Sequence, residues 1–256
     1  MKQIPNIFTL LNLVFGCFAI VFALQTEAIN IYQGEDLTTS FNIPEKLTYA
    51  AVCIGIAAII DFLDGFVARM FNAVSELGKQ LDSLSDIVSF GVAPSVILYQ
   101  FLRLSLMQEG DAFDVSAAWL VPAFLFACAG AFRLGRFNLD ASQAYGFKGV
   151  PIPAAGLVIA SLPIIAHYDY FEGAVNALLL NKWFLYFLIV LLSYLMISTL
   201  PLMALKFKDA SVKSNMPKII LLIVSLIAAV LLHWLSVPVV FICYIALSLI
   251  FKNKAV

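Results

Sequence analysis

Four aspartates lie at helical spacing within two apolar parts of the sequence. Asp61 and Asp64 are three residues apart, and Asp82 and Asp86 are four residues apart. Side chains at these spacings project from one face of an α-helix. An aspartate at the centre of a membrane helix opposes insertion by roughly 2.5–3.5 kcal/mol, so we expect something to offset that cost. Clustered carboxylates without His or Cys are typical ligands of Mg²⁺ or Mn²⁺, with Ca²⁺ possible, and two such ions would balance four negative charges.

Two other interpretations of this acidic group remain open. The carboxyl groups could be partly protonated, or paired with Lys79, in a purely structural packing arrangement. They could also bind a transported cation, which predicts carboxylates near the bilayer centre, broken helices and access from both sides. Both aspartate pairs lie toward the cytoplasmic ends of their predicted helices, so the sequence favours an enzyme over a cation transporter.

The composition places the helices that carry these aspartates in a lipid bilayer. The chain of 256 residues is 62% hydrophobic and 12% charged, with a mean hydropathy of +0.98. Soluble domains have about 45–50% apolar and about 25% charged residues. The net charge of −1 offers no basic surface to phosphates, so no nucleic-acid partner is expected.

Eight apolar stretches are candidates for membrane helices, which predicts an all-α integral membrane protein with about eight transmembrane helices. They lie near residues 5–25, 47–69, 81–103, 116–133, 151–167, 183–203, 217–234 and 236–251. We expect one membrane domain over residues 1–256, with a catalytic core near 1–203. No role for the additional C-terminal helices, in 204–256, follows from the sequence.

The charges in the loops predict the orientation of the helices. With a cytoplasmic N-terminus, every Lys and Arg except Lys46, Arg103 and Lys182 lies on the cytoplasmic side, which obeys the positive-inside rule. The predicted outer loops carry most of the acidic residues. Both termini are therefore predicted to be cytoplasmic, in a multi-pass protein of the inner membrane whose acidic site faces the cytoplasm.

The two aspartate pairs belong to a longer pattern. The stretch from Asp61 to Arg69 reads DFLDGFVAR, and after eight residues it is followed by Gly78, Asp82 and Asp86 with three residues between each. This pattern resembles the signature of the CDP-alcohol phosphotransferase family at every fixed position. The resemblance implies membrane enzymes that move a phosphatidyl or similar group from a CDP-linked donor to an alcohol and release CMP.

Four further segments resemble the phosphatidylserine synthases within this family. They read PNIFTLLN from Pro5, SDIVSFGVAPS from Ser85, RLGRFN from Arg133 and KGVPIP from Lys148. The similarity covers about residues 1–165. It implies that CDP-diacylglycerol is the donor and L-serine the acceptor, among membrane lipids, and it suggests a homodimer.

The resemblance also implies roles for individual residues. Asp61, Asp64 and Asp82 would bind two Mg²⁺ or Mn²⁺ ions, and Asp86 would touch one of them. Asp86 is also the implied proton acceptor for the alcohol. The residues implied to contact the CDP-linked lipid are Asn6, Thr9, Gly65, Arg69 and Ser75.

An enzyme that uses serine is expected to place a cation near its acceptor pocket, because serine has a carboxylate that glycerol and inositol lack. Arg133 and Arg136 are the candidates, since a guanidinium pairs bidentately with a carboxylate. Anchoring at the cytoplasmic interface is the alternative role for either one. A phosphorylated acceptor, glycerol 3-phosphate or an inositol phosphate, would call for a denser basic pocket than these arginines and Lys148. Asn12 fits a substrate contact or an ordinary interhelical hydrogen bond equally well.

Overall fold

The computed structural model describes residues 4–25, 43–70, 75–109, 115–139, 147–168, 173–203 and 212–251. Nearly all of these residues are helical, so the all-α prediction is confirmed. The helices are α1 (Ile4–Leu24), α2 (Glu45–Met70), α3 (Glu76–Asp86), α4 (Ala93–Glu109), α5 (Ala117–Leu120), α6 (Leu125–Leu139), α7 (Ile152–Tyr168), α8 (Ala174–Leu179), α9 (Lys182–Ile197), α10 (Val212–Leu232) and α11 (Ser236–Ile250). A π-helical segment (Ile87–Val92) joins α3 to α4, and one short antiparallel pair links β1 (Phe147–Lys148) to β2 (Pro201–Leu202).

Five helical segments of the described chain are long and apolar enough to cross a membrane. They are Pro5–Leu24, Glu45–Val67, Glu76–Gln108, Ala117–Leu139 and Asn215–Ile250, while α7 and α9 are apolar but shorter. Each of the eight predicted stretches falls on helical residues, although the stretch predicted over 183–203 stops being helical after Ile197. The length and composition of these helices do not give the side of the membrane on which each end lies, so the cytoplasmic placement of the termini stays a prediction.

The continuous helix formed by α3, the π-helical segment and α4 lies at the centre of the bundle. In its most apolar stretch 72% of the residues are buried, whereas in that of the α10–α11 segment only 11% are buried. The core includes Phe90, Phe101 and Ile97, all fully buried. Many large apolar side chains on the peripheral helices are exposed, for example Val230 at 75% and Leu231 at 70%. Such broad apolar exposure is expected where helices contact lipid.

Proline explains why the central helix widens into a π-helical segment. Pro94 has no N–H, and its ring would crowd the carbonyl of Phe90 in a regular α-helix. The helix instead forms a wider turn, in which the N–H of Ala93 bonds to the carbonyl of Val88. The displaced Phe90 carbonyl packs against Gly156 of α7, where a Cβ atom would come within 2.7 Å of that oxygen. The turn after Asp86 therefore depends on a glycine in the neighbouring helix.

We expect Gly156→Ala to destabilise the protein by about 1–3 kcal/mol, because the added methyl group overpacks the contact with Phe90. Thermal unfolding of the purified protein in detergent should show a lower Tm. Gly55→Ala in α2 is the matched control, since a methyl group there meets nothing within 4 Å. A Tm for Gly156→Ala equal to that of Gly55→Ala would contradict this explanation.

Candidate active site

Three of the four predicted aspartates converge between α2 and α3. One carboxylate oxygen each from Asp61, Asp82 and Asp86 lies within 4.8 Å of the other two. Asp86 is buried, and the other two carboxylates are half-buried. The one-turn spacing on α3 puts Asp82 and Asp86 on the side that faces α2. This all-oxygen group suits a hard divalent cation.

Asp64 lies beside this group of three but is held by a different helix. Its carboxylate accepts a hydrogen bond from the hydroxyl of Thr9 on α1. It also interacts electrostatically with Asp61 and Asp82. Thr9 was predicted to contact the CDP-linked lipid, and in the structure its hydroxyl also lies 3.2 Å from the carbonyl of Pro5.

Helix α1 is fixed to the central helix by hydrogen bonds on both sides of Asp86. The hydroxyl of Ser85 donates to the carbonyl of Thr9 at 3.1 Å, and the hydroxyl of Ser89 donates to the carbonyl of Asn12 at 3.0 Å. The Asn12 amide donates to Asp86 at 3.5 Å. Ser85 and Ser89 had no predicted role, although their four-residue spacing places them on one helical face.

Lys79 does not neutralise the aspartates. Its ammonium group lies 2.9 Å from the carboxylate of Glu76, on an exposed part of α3. Within the part of the chain that the structure describes, the interpretation in which Lys79 pairs with the aspartates is therefore wrong.

The start of α3 brings further predicted residues next to α1. Ser75 is the N-cap of α3, and its hydroxyl oxygen accepts a hydrogen bond from the N–H of Gly78 at 3.0 Å. Asn6 is buried beside this turn, because a Cβ atom on Gly78 would lie 3.2 Å from its side-chain oxygen. Gly65 and Arg69 lie on α2 beyond Asp64, and the side chain of Arg69 falls outside the described residues.

Arg133 and Arg136, which the sequence could not separate, have different environments. Arg133 is only 5% exposed, stacks over the ring of Phe137 at 5.0 Å and interacts electrostatically with Asp86. Its Nε and one terminal nitrogen, Nη2, have no hydrogen-bond partner among the described residues. Unpaired donors on a buried guanidinium are costly, so they indicate a place for an anionic ligand.

The guanidinium of Arg136 is hydrogen-bonded to the main chain. Its guanidinium donates to the carbonyls of Ile197 at 2.8 Å, Ser198 at 3.0 Å and Lys148 at 3.5 Å. Gly149, with a φ of +77°, makes this packing possible, since a Cβ atom there would lie 2.5 Å from the carbonyl oxygen of Met196. Arg136 therefore ties the end of α9 to the strand pair.

The last helix supports the same region. The hydroxyl of Tyr244 on α11 donates to the carbonyl of Met203 at 3.0 Å, and the N–H of Met203 donates to Ser248 at 3.3 Å. Tyr244 also interacts electrostatically with Arg133. The sequence assigned no role to α11, and in the structure it holds the chain that leaves β2.

The chain is similar to known lipid-synthesising enzymes. A sequence profile described as CDP-alcohol phosphatidyltransferase matches residues 2–194. The CDP-diacylglycerol–serine O-phosphatidyltransferase of Helicobacter pylori is 33% identical over 199 residues, covering 77% of this chain and 70% of that protein. The enzyme of the same name from Mycobacterium tuberculosis is 31% identical over 253 residues, covering 95% and 76%. The archaetidylserine synthase of Methanothermobacter thermautotrophicus is 31% identical over 166 residues, covering 64% and 62%.

We expect Mg²⁺ or Mn²⁺ to raise the Tm of the protein, because a ligand that binds only the folded state stabilises it, by about 2.7 kcal/mol at a hundred times its Kd. Asp82→Asn should remove most of that increase. Glu76→Gln, which changes an exposed acid on the same helix, is the matched control and should keep it. A full metal-induced increase in Tm for Asp82→Asn would contradict the assignment of the site.

Proposed function

Because the chain belongs to the CDP-alcohol phosphatidyltransferase family, we propose that it transfers the phosphatidyl group of CDP-diacylglycerol to the hydroxyl group of L-serine and releases CMP. The names of the relatives from Helicobacter pylori and Mycobacterium tuberculosis support serine as the acceptor. The observation that carries the proposal is the buried, incompletely paired guanidinium of Arg133 beside the group of three aspartates.

The oxygen donors of this site fit divalent metal ions. Asp61, Asp82 and Asp86 would hold one Mg²⁺ or Mn²⁺ ion, and Asp64 would contribute to a second. When bound, these cations would offset the negative charge of the donor's pyrophosphate. The hydrogen bond from Thr9 keeps the Asp64 carboxylate in place for this purpose.

Asp86 is the proposed proton acceptor. As the serine oxygen forms its bond to the phosphorus of the phosphatidyl group, the hydroxyl proton moves to the Asp86 carboxylate. The bond between that phosphorus and the bridging oxygen of the pyrophosphate breaks, and CMP leaves with the electron pair. The burial of Asp86 limits access of water, which would otherwise compete with serine as the nucleophile.

Residues on three helices would bind the CDP-linked lipid. The oxygen of Ser75 accepts a hydrogen bond from its own helix, so its hydroxyl hydrogen can point toward a phosphate at the positive end of α3. Gly65 and Arg69 on α2, and Asn6 and Thr9 on α1, complete the proposed set.

Arg133 is the proposed partner of the serine carboxylate. Arg136, the second candidate in the sequence, donates to three main-chain carbonyls and is better suited to positioning the neighbouring chain. A phosphorylated acceptor carries more negative charge and would need more than one buried guanidinium. The electrostatic interaction between Arg133 and Asp86 supports a small acceptor that reaches both groups.

We also propose that the protein lies in the inner membrane, with about eight spans, cytoplasmic termini and a homodimeric assembly, as the sequence predicts. Asp61 lies nine residues before the end of α2, and Asp82 and Asp86 lie within the first third of the continuous helix that begins with α3. The carboxylates of the site are therefore nearer the C-terminal end of α2 and the start of the helix that follows it. This one-sided position supports a site open to the cytoplasm and argues against a cation transporter with access from both sides.

Release of CMP from CDP-diacylglycerol by the purified protein should require a divalent metal and L-serine. Asp86→Asn should reduce turnover by at least about a thousandfold while the protein stays folded, because the amide cannot accept the proton. Faster turnover with glycerol 3-phosphate or an inositol phosphate than with serine would contradict the proposed acceptor. Wild-type turnover in Asp86→Asn would contradict the proposed base.

Arg133→Gln should raise the KM for serine by about 10- to 100-fold, because charge-assisted hydrogen bonds to the carboxylate are lost. Activity with ethanolamine, which has no carboxylate, should change much less. Arg103→Gln in α4 is the control, since this arginine lies 17 residues beyond Asp86 on the same continuous helix, roughly 25 Å away, and should leave the KM for serine unchanged. An equal loss for serine and ethanolamine would show that Arg133 does not bind the carboxylate.

A further inference from the structure

The side chain of Asn12 is a buried amide with only half of its hydrogen-bonding groups in use. The residue has no solvent exposure, and its Nδ2 donates to Oδ1 of Asp86 at 3.5 Å. Its Oδ1 has no hydrogen-bond partner among the described residues. A buried acceptor without a partner destabilises the folded state, so this amide is a poor choice for packing alone.

The attachment of α1 to the central helix does not require the Asn12 side chain. The carbonyls of Thr9 and Asn12 already accept hydrogen bonds from Ser85 and Ser89, one on each side of Asp86. Both bonds use main-chain carbonyls, so neither depends on the side chain at position 12. Among the described residues, the contact that needs an amide at this position is therefore the hydrogen bond to Asp86.

We infer that Asn12 is a positioning residue for Asp86, an inference that rests on the proposed role of Asp86 as proton acceptor. By holding Oδ1 of the carboxylate, the amide fixes the rotation of the carboxylate plane. The second oxygen, Oδ2, is then presented to the serine hydroxyl. A carboxylate free to rotate would spend less time in the orientation that takes the proton, so the amide acts on turnover and not on substrate affinity.

The test separates turnover from affinity and from stability. Asn12→Leu keeps a similar shape but removes the amide, so kcat should fall by about 10- to 100-fold, as for loss of a hydrogen bond to a charged group. The KM values for serine and CDP-diacylglycerol should change by less than about threefold. The Tm should fall by no more than a few degrees, because the Asp86 carboxylate loses its donor while the unpartnered Oδ1 of Asn12 is removed with it. Asn12→Ala measures the same quantities if the leucine variant does not fold.

Gln100→Leu provides the matched control. Gln100 is also a buried amide that joins α1 to the central helix, and it donates to the carbonyl of Ala23 at 2.7 Å near the other end of α1. Its loss should lower the Tm and leave kcat unchanged. An Asn12 variant with full kcat, or an equal loss of kcat in Gln100→Leu, would overturn the inference.

A double-mutant cycle with Asp86 completes the test. In the Asp86→Asn background, removing the Asn12 amide should have little further effect on the residual turnover, because the group that it positions is gone. Independent, multiplicative losses would overturn the inference. If the wild-type protein transfers nothing to serine, the proposed function fails. If the wild-type protein does transfer the phosphatidyl group to serine, and the Asn12 variants have the same kcat as the wild type, the proposed function stands and this inference fails.

Discussion

The concentration of carboxylates among apolar helices is the constraint on which the rest of this structure depends. Each aspartate opposes burial by itself, and together they repel one another. Asp64 and Asp86 each receive a hydrogen bond from a neutral side chain of α1, and Asp61 and Asp82 remain half-buried. The folded protein thus keeps an acidic centre whose remaining charge suits metal ions.

The surrounding helices form two supports around this acidic centre. On one side, α1 is bonded to the central helix next to Asp86, and the π-helical segment that follows Asp86 rests against Gly156. On the other side, Arg136 bonds to the end of α9, Tyr244 bonds to the chain after β2, and both interact electrostatically with Arg133. The first set of contacts holds the helices that carry Asp86 and its neighbours, and the second holds the chain near a buried guanidinium that keeps unpaired donors.

The sequence was sufficient to predict the helices and the convergence of the acids, because both follow from local spacing. The pairs at three and four residues project from one helical face, and few residues separate the end of α2 from the start of α3. The separation of Asp64 from the group of three was not predictable, because it depends on Thr9 of another helix. The different environments of Arg133 and Arg136 depend on where α9 ends and where the strand pair forms. The position of the π-helical segment, in turn, reflects both Pro94 and the packing of the Phe90 carbonyl against Gly156 of α7.

Whether the acidic centre binds a metal ion can be tested by anomalous diffraction from crystals of the protein grown with Mn²⁺, because the signal locates the ion independently of any assay. We expect an anomalous peak in contact with the carboxylates of Asp61, Asp82 and Asp86. A map with Mn²⁺ elsewhere on the protein, and none between these three aspartates, would contradict a metal site there.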